Sequence, residues 1–441
     1  MKKTLNIIIS CFRKNKEAKN ASWLIGGKVI QMMISLLVGI LIARYLGPTN
    51  YGVINYGTAY VAFFSSLSSL GINSIIIKNF IDHPNEEGKT IGTTFILRLI
   101  SSGISCLIIF LISVIADEGE AETILVVVLC SLSLVFNVFE TLNFWFQSKY
   151  LSKRVAVSTL IAYIFTSLYK IVLLIIKTNV VWFAFATSFD YIVYAIVIIL
   201  YYKRDRGPGW SFSLKKAKEL LSSSHHFILS GLMVAVYGYT NKLILKHLVD
   251  VTAVGYYSTA NGICHMWTFV LQAIIDSMYP TIMRLYQTDR RAYERKNRQL
   301  YAIVFYASIF VSLIFTLFAP LIISILYGEE YIPAVAPMRV ITWYTAFSYI
   351  GVARNAWIVC ENQQKYLKFM YFGAAVINIC LNFILIPLIG TVGAALASLV
   401  TELFTSIILP LMIKDMRPNS LMILQAIALK DIFNRAQRHK T

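Results

Sequence analysis

The side chains best placed for chemistry are charged residues that lie inside otherwise apolar segments. Eight are cations: Lys28, Arg44, Arg98, Lys170, Lys242, Lys246, Arg339 and Arg354. Four are acids: Glu140, Asp190, Asp276 and Glu402. A charge in apolar surroundings is costly, so each one is a functional hypothesis. An excess of cations would attract an anion and repel other cations, whereas a buried carboxylate could bind a proton or a small cation.

Position along each segment separates the cations. A long side chain near a helix end can extend its charge to water, and this alternative fits four of them best: Arg44, Lys170, Lys246 and Arg339. Lys242 and Arg354 lie well inside their segments, and Lys28 and Arg98 are intermediate. We predict that the polar groups that bind substrate are Lys28, Gln31, Arg44, Arg98, Lys242 and Arg354.

The acids suggest ion coupling. Asp190 and Glu402 lie near the middle of their segments and are too short to reach water, so they must be protonated, paired or hydrated. Glu140 and Asp276 are further candidates for the same role.

Two polar stripes follow helical spacing. Their members are Lys28, Gln31, Ser35 and Gly39 in one segment, and Asn261, His265, Gln272 and Asp276 in another. Such stripes fit the lining of a polar chamber. They also fit helix–helix packing in a membrane, and both interpretations stay open. His265 by itself fits a packing residue better than a proton relay.

The composition shows what must position these residues. The chain has 441 residues, of which 57% are hydrophobic and only 14% charged, and its formal net charge is +18. Its mean hydropathy is +0.66. These values exclude an ordinary soluble enzyme and a disordered chain, so most of the chain must lie in lipid. The basic residues form short clusters between apolar runs, which disfavours nucleic-acid binding.

We predict twelve transmembrane helices of about 20 or more residues. Their approximate ranges are 23–46, 52–77, 92–115, 124–146, 156–176, 181–202, 225–249, 255–283, 300–327, 334–360, 369–388 and 392–413. This predicts an all-α integral membrane protein with two six-helix bundles, 23–202 and 225–413. A cytoplasmic interfacial segment (1–22), a linker (203–224) and a basic tail (414–441) complete the chain.

The connecting segments alternate in charge. One set contains 31 Lys or Arg residues, and the other contains only Lys177 together with seven acids. Basic loops stay in the cytoplasm, so both termini are predicted to be cytoplasmic. The longest outer loop has eight residues, which disfavours a membrane-embedded glycosyltransferase or polymerase.

The two halves repeat one another. Arg44 and Lys246 occupy similar positions after the first and seventh segments, 202 residues apart. Gln147 and Gln363 precede similar tripeptides after the fourth and tenth segments, 216 residues apart. Each half contains six spans, and because six is even, both halves enter the membrane from the same side. The repeats are therefore parallel, and transporters bind substrate where such repeats meet. A duplicated but static scaffold is the alternative.

Neither ATP hydrolysis nor a cofactor is expected. The segment around Gly88-Lys89-Thr90 lacks the first glycine of a phosphate-binding loop, and the six cysteines show no metal-binding spacing. Any driving force would therefore come from an ion gradient, the membrane potential or the substrate gradient.

The sequence resembles the bacterial polysaccharide flippases, the Wzx-like O-antigen translocases. The resemblance rests on Lys28 and Gln31, on the ARYLGP run at 43–48, on GYYSTA at 255–260, and on Asn378, Asn382 and GTVGAALAS at 390–398. It is scattered over about 25–410.

This resemblance implies the multidrug/oligosaccharidyl-lipid/polysaccharide exporter fold, with two bundles around a cationic cavity. It also implies that the protein flips undecaprenyl-diphosphate-linked oligosaccharide across the bacterial inner membrane without acting as an enzyme. Membrane lipids, a glycan polymerase and a chain-length regulator are the implied partners. A cation-coupled multidrug antiporter of the same fold is an alternative, although it would need an anionic cavity. A membrane-embedded glycan polymerase or glycosyltransferase and a non-transporting scaffold are the others.

Overall fold

The structure, a computed structural model, describes residues 16–429, with side chains described from Gln31 onward except at positions 74, 226 and 230. Most of the predicted interfacial segment 1–22, the end of the basic tail and the side chain of Lys28 lie outside the described residues. Every regular element in the described part of the chain is helical.

The chain divides into two compact units between Ala235 and Val236. The first unit contains α1 (Lys16–Ser68), α2 (Asn73–Asp82), α3 (Glu87–Ala116), α4 (Ala121–Phe136), α5 (Glu140–Ser148), α6 (Ser152–Ile175), α7 (Val180–Arg204) and most of α8 (Leu214–Leu248). The second contains the end of α8, then α9 (Val251–His265), α10 (Thr268–Thr288), α11 (Arg290–Leu326), α12 (Val335–Ala353), α13 (Asn355–Cys360), α14 (Leu367–Leu403), α15 (Leu409–Met412) and α16 (Arg417–Ile427). A π-helical turn, Phe404–Ile408, joins α14 to α15.

Eight stretches of the described chain are long and apolar enough to cross a membrane. They are Gln31–Ser68, Pro84–Ala116, Ala121–Ser148, Ser152–Ile175, Val180–Arg204, Phe227–Leu248, Arg290–Leu326 and Gln364–Met412. The predicted all-α integral membrane fold is confirmed. The number twelve and the side on which each terminus lies stay predictions.

The surface of α3 shows the distribution of side chains expected in lipid. Ser101, Ser102 and Ser105 are buried, whereas Leu107 and Ile115 are 58% and 78% exposed. Lipid removes the penalty for exposing apolar side chains, and small or polar residues let helices approach closely. The outward face of this helix is therefore apolar, and its inward face carries hydroxyl groups.

The first long helix contains a break. Its apolar part, Gln31–Ser68, has 38 residues and would be about 57 Å long, almost twice the thickness of a bilayer core. Gly47 has a φ of 69° and a ψ of 171°, and Pro48 follows it. This left-handed glycine interrupts the helix where the sequence predicts a loop between the first two spans.

The last long helix is a hairpin. Ile389 and Gly390 are non-helical, and Gly390 has a φ of 57°. Asn378 Nδ2 lies 3.4 Å from Thr401 Oγ1, although a straight helix would separate these residues by about 35 Å. The chain therefore reverses at 389–390, where the sequence predicts the last outer loop.

The predicted linker packs on the first unit. Ser211 N–H donates to the carbonyl of Gly88, and Ser213 N–H donates to Thr93 Oγ1. A Cβ at Gly92 would lie 2.5 Å from the Ser211 oxygen, so glycine is required for this close approach. Trp210 packs against the ring of Phe95. The segment around 208–213 is therefore fastened to α3.

Ion pairs fasten the ends of helices in the second unit. Arg290 Nη1 contacts Glu361 Oε1, and Lys365 Nζ lies 3.6 Å from Asp415 Oδ2. The hydroxyl of Tyr366 donates to Asp415 at 2.7 Å, and this hydrogen bond is the main reason that the pKa of Asp415 is lowered. These contacts connect the start of α11, the segment before α14 and the residues after α15.

Candidate functional site

The fourth predicted span of each unit is broken at a charged residue. In the first unit α4 ends at Phe136, and a 3₁₀ turn at Asn137–Phe139 leads into α5, which begins at Glu140. In the second unit α12 ends at Ala353, and Arg354 lies at its junction with α13. Glu140 and Arg354 are 214 residues apart, which falls within the repeat spacing of 202 to 216. Equivalent breaks therefore carry opposite charges.

In the first unit the broken helix forms a buried ion pair. Arg98 Nη2 donates to Glu140 Oε2 at 3.1 Å and to the carbonyl of Asn137 at 3.3 Å. Its Nη1 donates to Thr141 Oγ1 at 3.4 Å. The Arg98 side chain is 1% exposed and that of Glu140 is 34% exposed. The structure thus brings together a predicted substrate-binding cation and a predicted ion-coupling acid, and each neutralises the other.

Asp190 has two partners in the same unit. The hydroxyl of Thr166 donates to Asp190 Oδ1 at 3.1 Å, and Lys170 interacts electrostatically with this carboxylate. The sequence does not predict Lys170 as a site residue, because a cation near a helix end can extend to water. Side chains tilt toward the helix N-terminus, which directs Lys170 away from the nearby end of α6 and toward the membrane interior.

In the second unit Arg354 binds the π-helical turn. Its Nη1 donates to the carbonyls of Thr405 and Ser406 at 3.4 and 3.1 Å. A π-turn alters the regular i to i+4 ladder and is frequently found at functional sites. Arg354 is 5% exposed and its Nε has no hydrogen-bond partner. Glu402, one turn before Ser406, is 8% exposed and interacts electrostatically with Arg354.

A buried amide network lies beside this pair. Asn241 Nδ2 donates to Tyr257 Oη at 2.9 Å and also bonds Ser398 Oγ. Asn382 Nδ2 donates to Asn241 Oδ1 at 2.6 Å and to Asn378 Oδ1 at 2.9 Å. These bonds join α8, α9 and both arms of the α14 hairpin. Interhelical hydrogen bonds of this kind hold helices together in lipid, where water cannot compete.

The remaining predicted residues lie in different surroundings. Lys242 is half-buried in α8, next to Asn241, and interacts electrostatically with His265. Arg44 is exposed and Gln31 is half-buried in α1. Asp276 is exposed and accepts a hydrogen bond from Gln272 at 2.8 Å. Gln31 and Arg44 are 13 residues apart on α1, about 20 Å along a helix, so these two side chains do not form one cluster.

A protein-family model described as "Polysaccharide biosynthesis protein" matches residues 41–336, which is more than half of the chain. The chain belongs to this family. The chain is also 22% identical over 403 residues to a protein of Escherichia coli K12 named "Putative O-antigen transporter". That alignment covers 89% of this chain and 94% of the relative.

Two solved structures show which fold the chain shares. The lipid II flippase MurJ in an inward closed conformation matches 92% of this chain and 91% of its own, with a TM-score of 0.70 and 13% identity. An inward-facing multidrug resistance MATE transporter of the MOP superfamily matches 91% and 96%, with a TM-score of 0.67 and 14% identity. The predicted all-α membrane fold, shared with these two proteins, and the family resemblance are confirmed, and the protein is a multi-pass protein of the bacterial inner membrane. Because a flippase and a drug exporter share this fold, their difference must lie in the side chains.

Proposed function

We propose that this protein flips an undecaprenyl-diphosphate-linked oligosaccharide, a repeat unit of O-antigen, capsule or exopolysaccharide, from the cytoplasmic to the periplasmic leaflet. Family membership supports a role in polysaccharide biosynthesis. The relative from Escherichia coli is named as an O-antigen transporter, and a flippase for lipid II shares the fold. The role is transport of a lipid-linked substrate and not catalysis.

The state of the membrane acids favours this substrate over a cationic drug. Glu140 is paired with Arg98, Asp190 accepts a hydrogen bond from Thr166, and Glu402 is buried beside Arg354. Asp276, the fourth acid, is exposed and bonded to Gln272. A binding site for cations needs accessible negative charge, and all four acids already interact with groups of their own unit. This observation carries the proposal.

The positive charges provide the complementary chemistry. The spans contain eight cations and four acids, so their balance is 8 − 4 = +4. Diphosphate is an anion that Lys and Arg bind by charge-assisted hydrogen bonds. In the proposed mechanism, Lys242 and Arg44, together with Lys28 and Gln31, screen the diphosphate while the glycan crosses in water. The polyprenyl chain stays in lipid, and the protein alternates its access between the two leaflets.

The experiment is depletion of the protein in its bacterium, followed by analysis of surface glycan and of lipid-linked precursor. The proposal predicts loss of surface glycan and accumulation of precursor on the cytoplasmic leaflet, both reversed by the wild-type gene. Normal surface glycan together with increased sensitivity to cationic drugs would contradict the proposal and support the antiporter.

A further inference from the structure

Glu402 is the most buried of the four membrane acids. Glu140 makes a direct ion pair with Arg98 at 3.1 Å. Among the described residues no cation makes such a pair with Glu402, although Arg354 interacts with it electrostatically. The guanidinium of Arg354 is instead bound to the carbonyls of Thr405 and Ser406.

This arrangement fits a carboxyl group that carries a proton. Glu402 is 8% exposed and lies inside a span, where an ionised carboxylate without a direct counter-charge is costly. A neutral carboxyl group can instead donate to a hydroxyl oxygen, and the hydroxyl of Ser406 near Glu402 is such an acceptor because its own proton is donated to the carbonyl of Phe347 at 2.9 Å. The Nε of Arg354 is buried without a partner, so the guanidinium can donate a further hydrogen bond.

We propose that Glu402 binds the proton that couples to transport. Arg354 responds to the charge on Glu402 and thereby changes the shape of the last membrane helix, 392–413. The inference deepens the proposed function, on which it rests, by naming the coupling ion and the residue that responds to it. Arg354 acts here as a positioning residue, because it changes the shape of the helix without touching the substrate.

The two states differ in the acceptor that Arg354 uses. With Glu402 protonated, the guanidinium holds the two carbonyls of the π-turn, as in the structure. When the proton leaves to water, the carboxylate becomes a stronger acceptor than a carbonyl, because charge-assisted hydrogen bonds are roughly twice as strong as neutral ones. The guanidinium then moves to Glu402, and the π-turn loses its donor.

Among the described groups that face Glu402, one cation, Arg354, can change its hydrogen-bond acceptor in this way. The groups that face Glu402 are Tyr237 from α8, Tyr344 from α12, Tyr371 from the first arm of α14 and Arg354 from the α12–α13 junction. Arg354 is the only permanent charge among these four. The proton on Glu402 therefore decides whether the cluster is positive or neutral.

The test is hydrogen exchange of the full-length protein in lipid nanodiscs, without substrate, across a range of pH. After correction for the intrinsic pH dependence of exchange, wild-type amides at 404–409 should exchange about tenfold faster at alkaline than at acidic pH, because the turn opens. The Glu402→Gln variant should keep the slow acidic rate at every pH. The matched control is Glu118→Gln, which removes an exposed carboxyl group and should behave like the wild type.

The second variant tests the cation. In the Arg354→Gln variant the amides at 404–409 should exchange rapidly at every pH. Arg354→Lys keeps the positive charge and replaces this variant if Arg354→Gln does not fold, and its amide exchange should show a smaller dependence on pH. A pH-independent wild type, or a Glu402→Gln variant that still responds, would overturn the coupling site. Loss of surface glycan on depletion together with pH-independent exchange would leave the flippase proposal intact. Normal surface glycan on depletion together with pH-dependent exchange would contradict the flippase proposal and leave the proton site intact.

Discussion

Arg98 and Glu140 show how burial decides the effect of removing a charge. Arg98 is 1% exposed, whereas Glu140 is 34% exposed. Glu140→Ala leaves a guanidinium buried without its counter-charge, and we expect it to lower the free energy of unfolding by about 3 kcal/mol. Arg98→Met leaves a carboxylate that is only partly buried, and the expected loss is about 1 kcal/mol.

Thermal unfolding in detergent measures this asymmetry. The exposed pair Lys89–Glu86 provides the control, and Lys89→Ala should change stability by less than about 0.5 kcal/mol. Equal losses for Arg98→Met and Glu140→Ala would contradict the account of this ion pair.

Lys242 is the residue on which anion binding depends most directly. Lys242→Ala should reduce surface glycan strongly and cause precursor to accumulate, Lys242→Glu should be worse, and Lys242→Arg should be mildest. The matched control is Lys368→Ala, which removes an exposed cation beside the Phe369 ring. Surface glycan should be quantified at equal protein level in the membrane. Normal glycan with Lys242→Glu would show that this cation does not bind the diphosphate.

At the scale of the elements, the α14 hairpin depends on one close approach. A Cβ at Gly393 would lie 2.3 Å from the carbonyl oxygen of Leu385 in the opposite arm. Gly393→Ala should therefore separate the arms and lower the free energy of unfolding by about 2 kcal/mol. The control is Gly103→Ala in α3, where a Cβ would meet open space, and its effect should stay within about 1 kcal/mol. Equal melting temperatures for the two variants would contradict the hairpin geometry.

Sequence reasoning could predict the hairpin but not the breaks within the fourth spans. The short segment 389–391 separates two apolar runs, and a break there is visible in hydropathy. The 3₁₀ turn at Asn137–Phe139 lies in a run that stays apolar. Hydropathy measures transfer into lipid and is insensitive to a local change of φ and ψ, so the predicted span 124–146 runs through the turn.

At the scale of the whole molecule, composition and charge alternation are enough to predict the membrane fold. The motifs at 43–48, 255–260 and 390–398 are enough to predict the family. The partners of individual charges could not be predicted. Arg98 and Glu140 are 42 residues apart, and their pairing depends on how α3 packs against the start of α5. Its distance from the helix end alone predicts that Lys170 reaches the interface, whereas the direction of its side chain favours the membrane interior.

The most direct test of the central claim is transport by the purified protein in liposomes. Fluorescent polyprenyl-diphosphate oligosaccharide is incorporated into both leaflets, and the fraction accessible to an external glycosidase is measured over time. The account predicts that the inner-leaflet pool becomes accessible with the wild-type protein and with Lys368→Ala, and that Lys242→Glu stays at the rate of protein-free liposomes. A wild-type rate equal to that of protein-free liposomes would contradict the account.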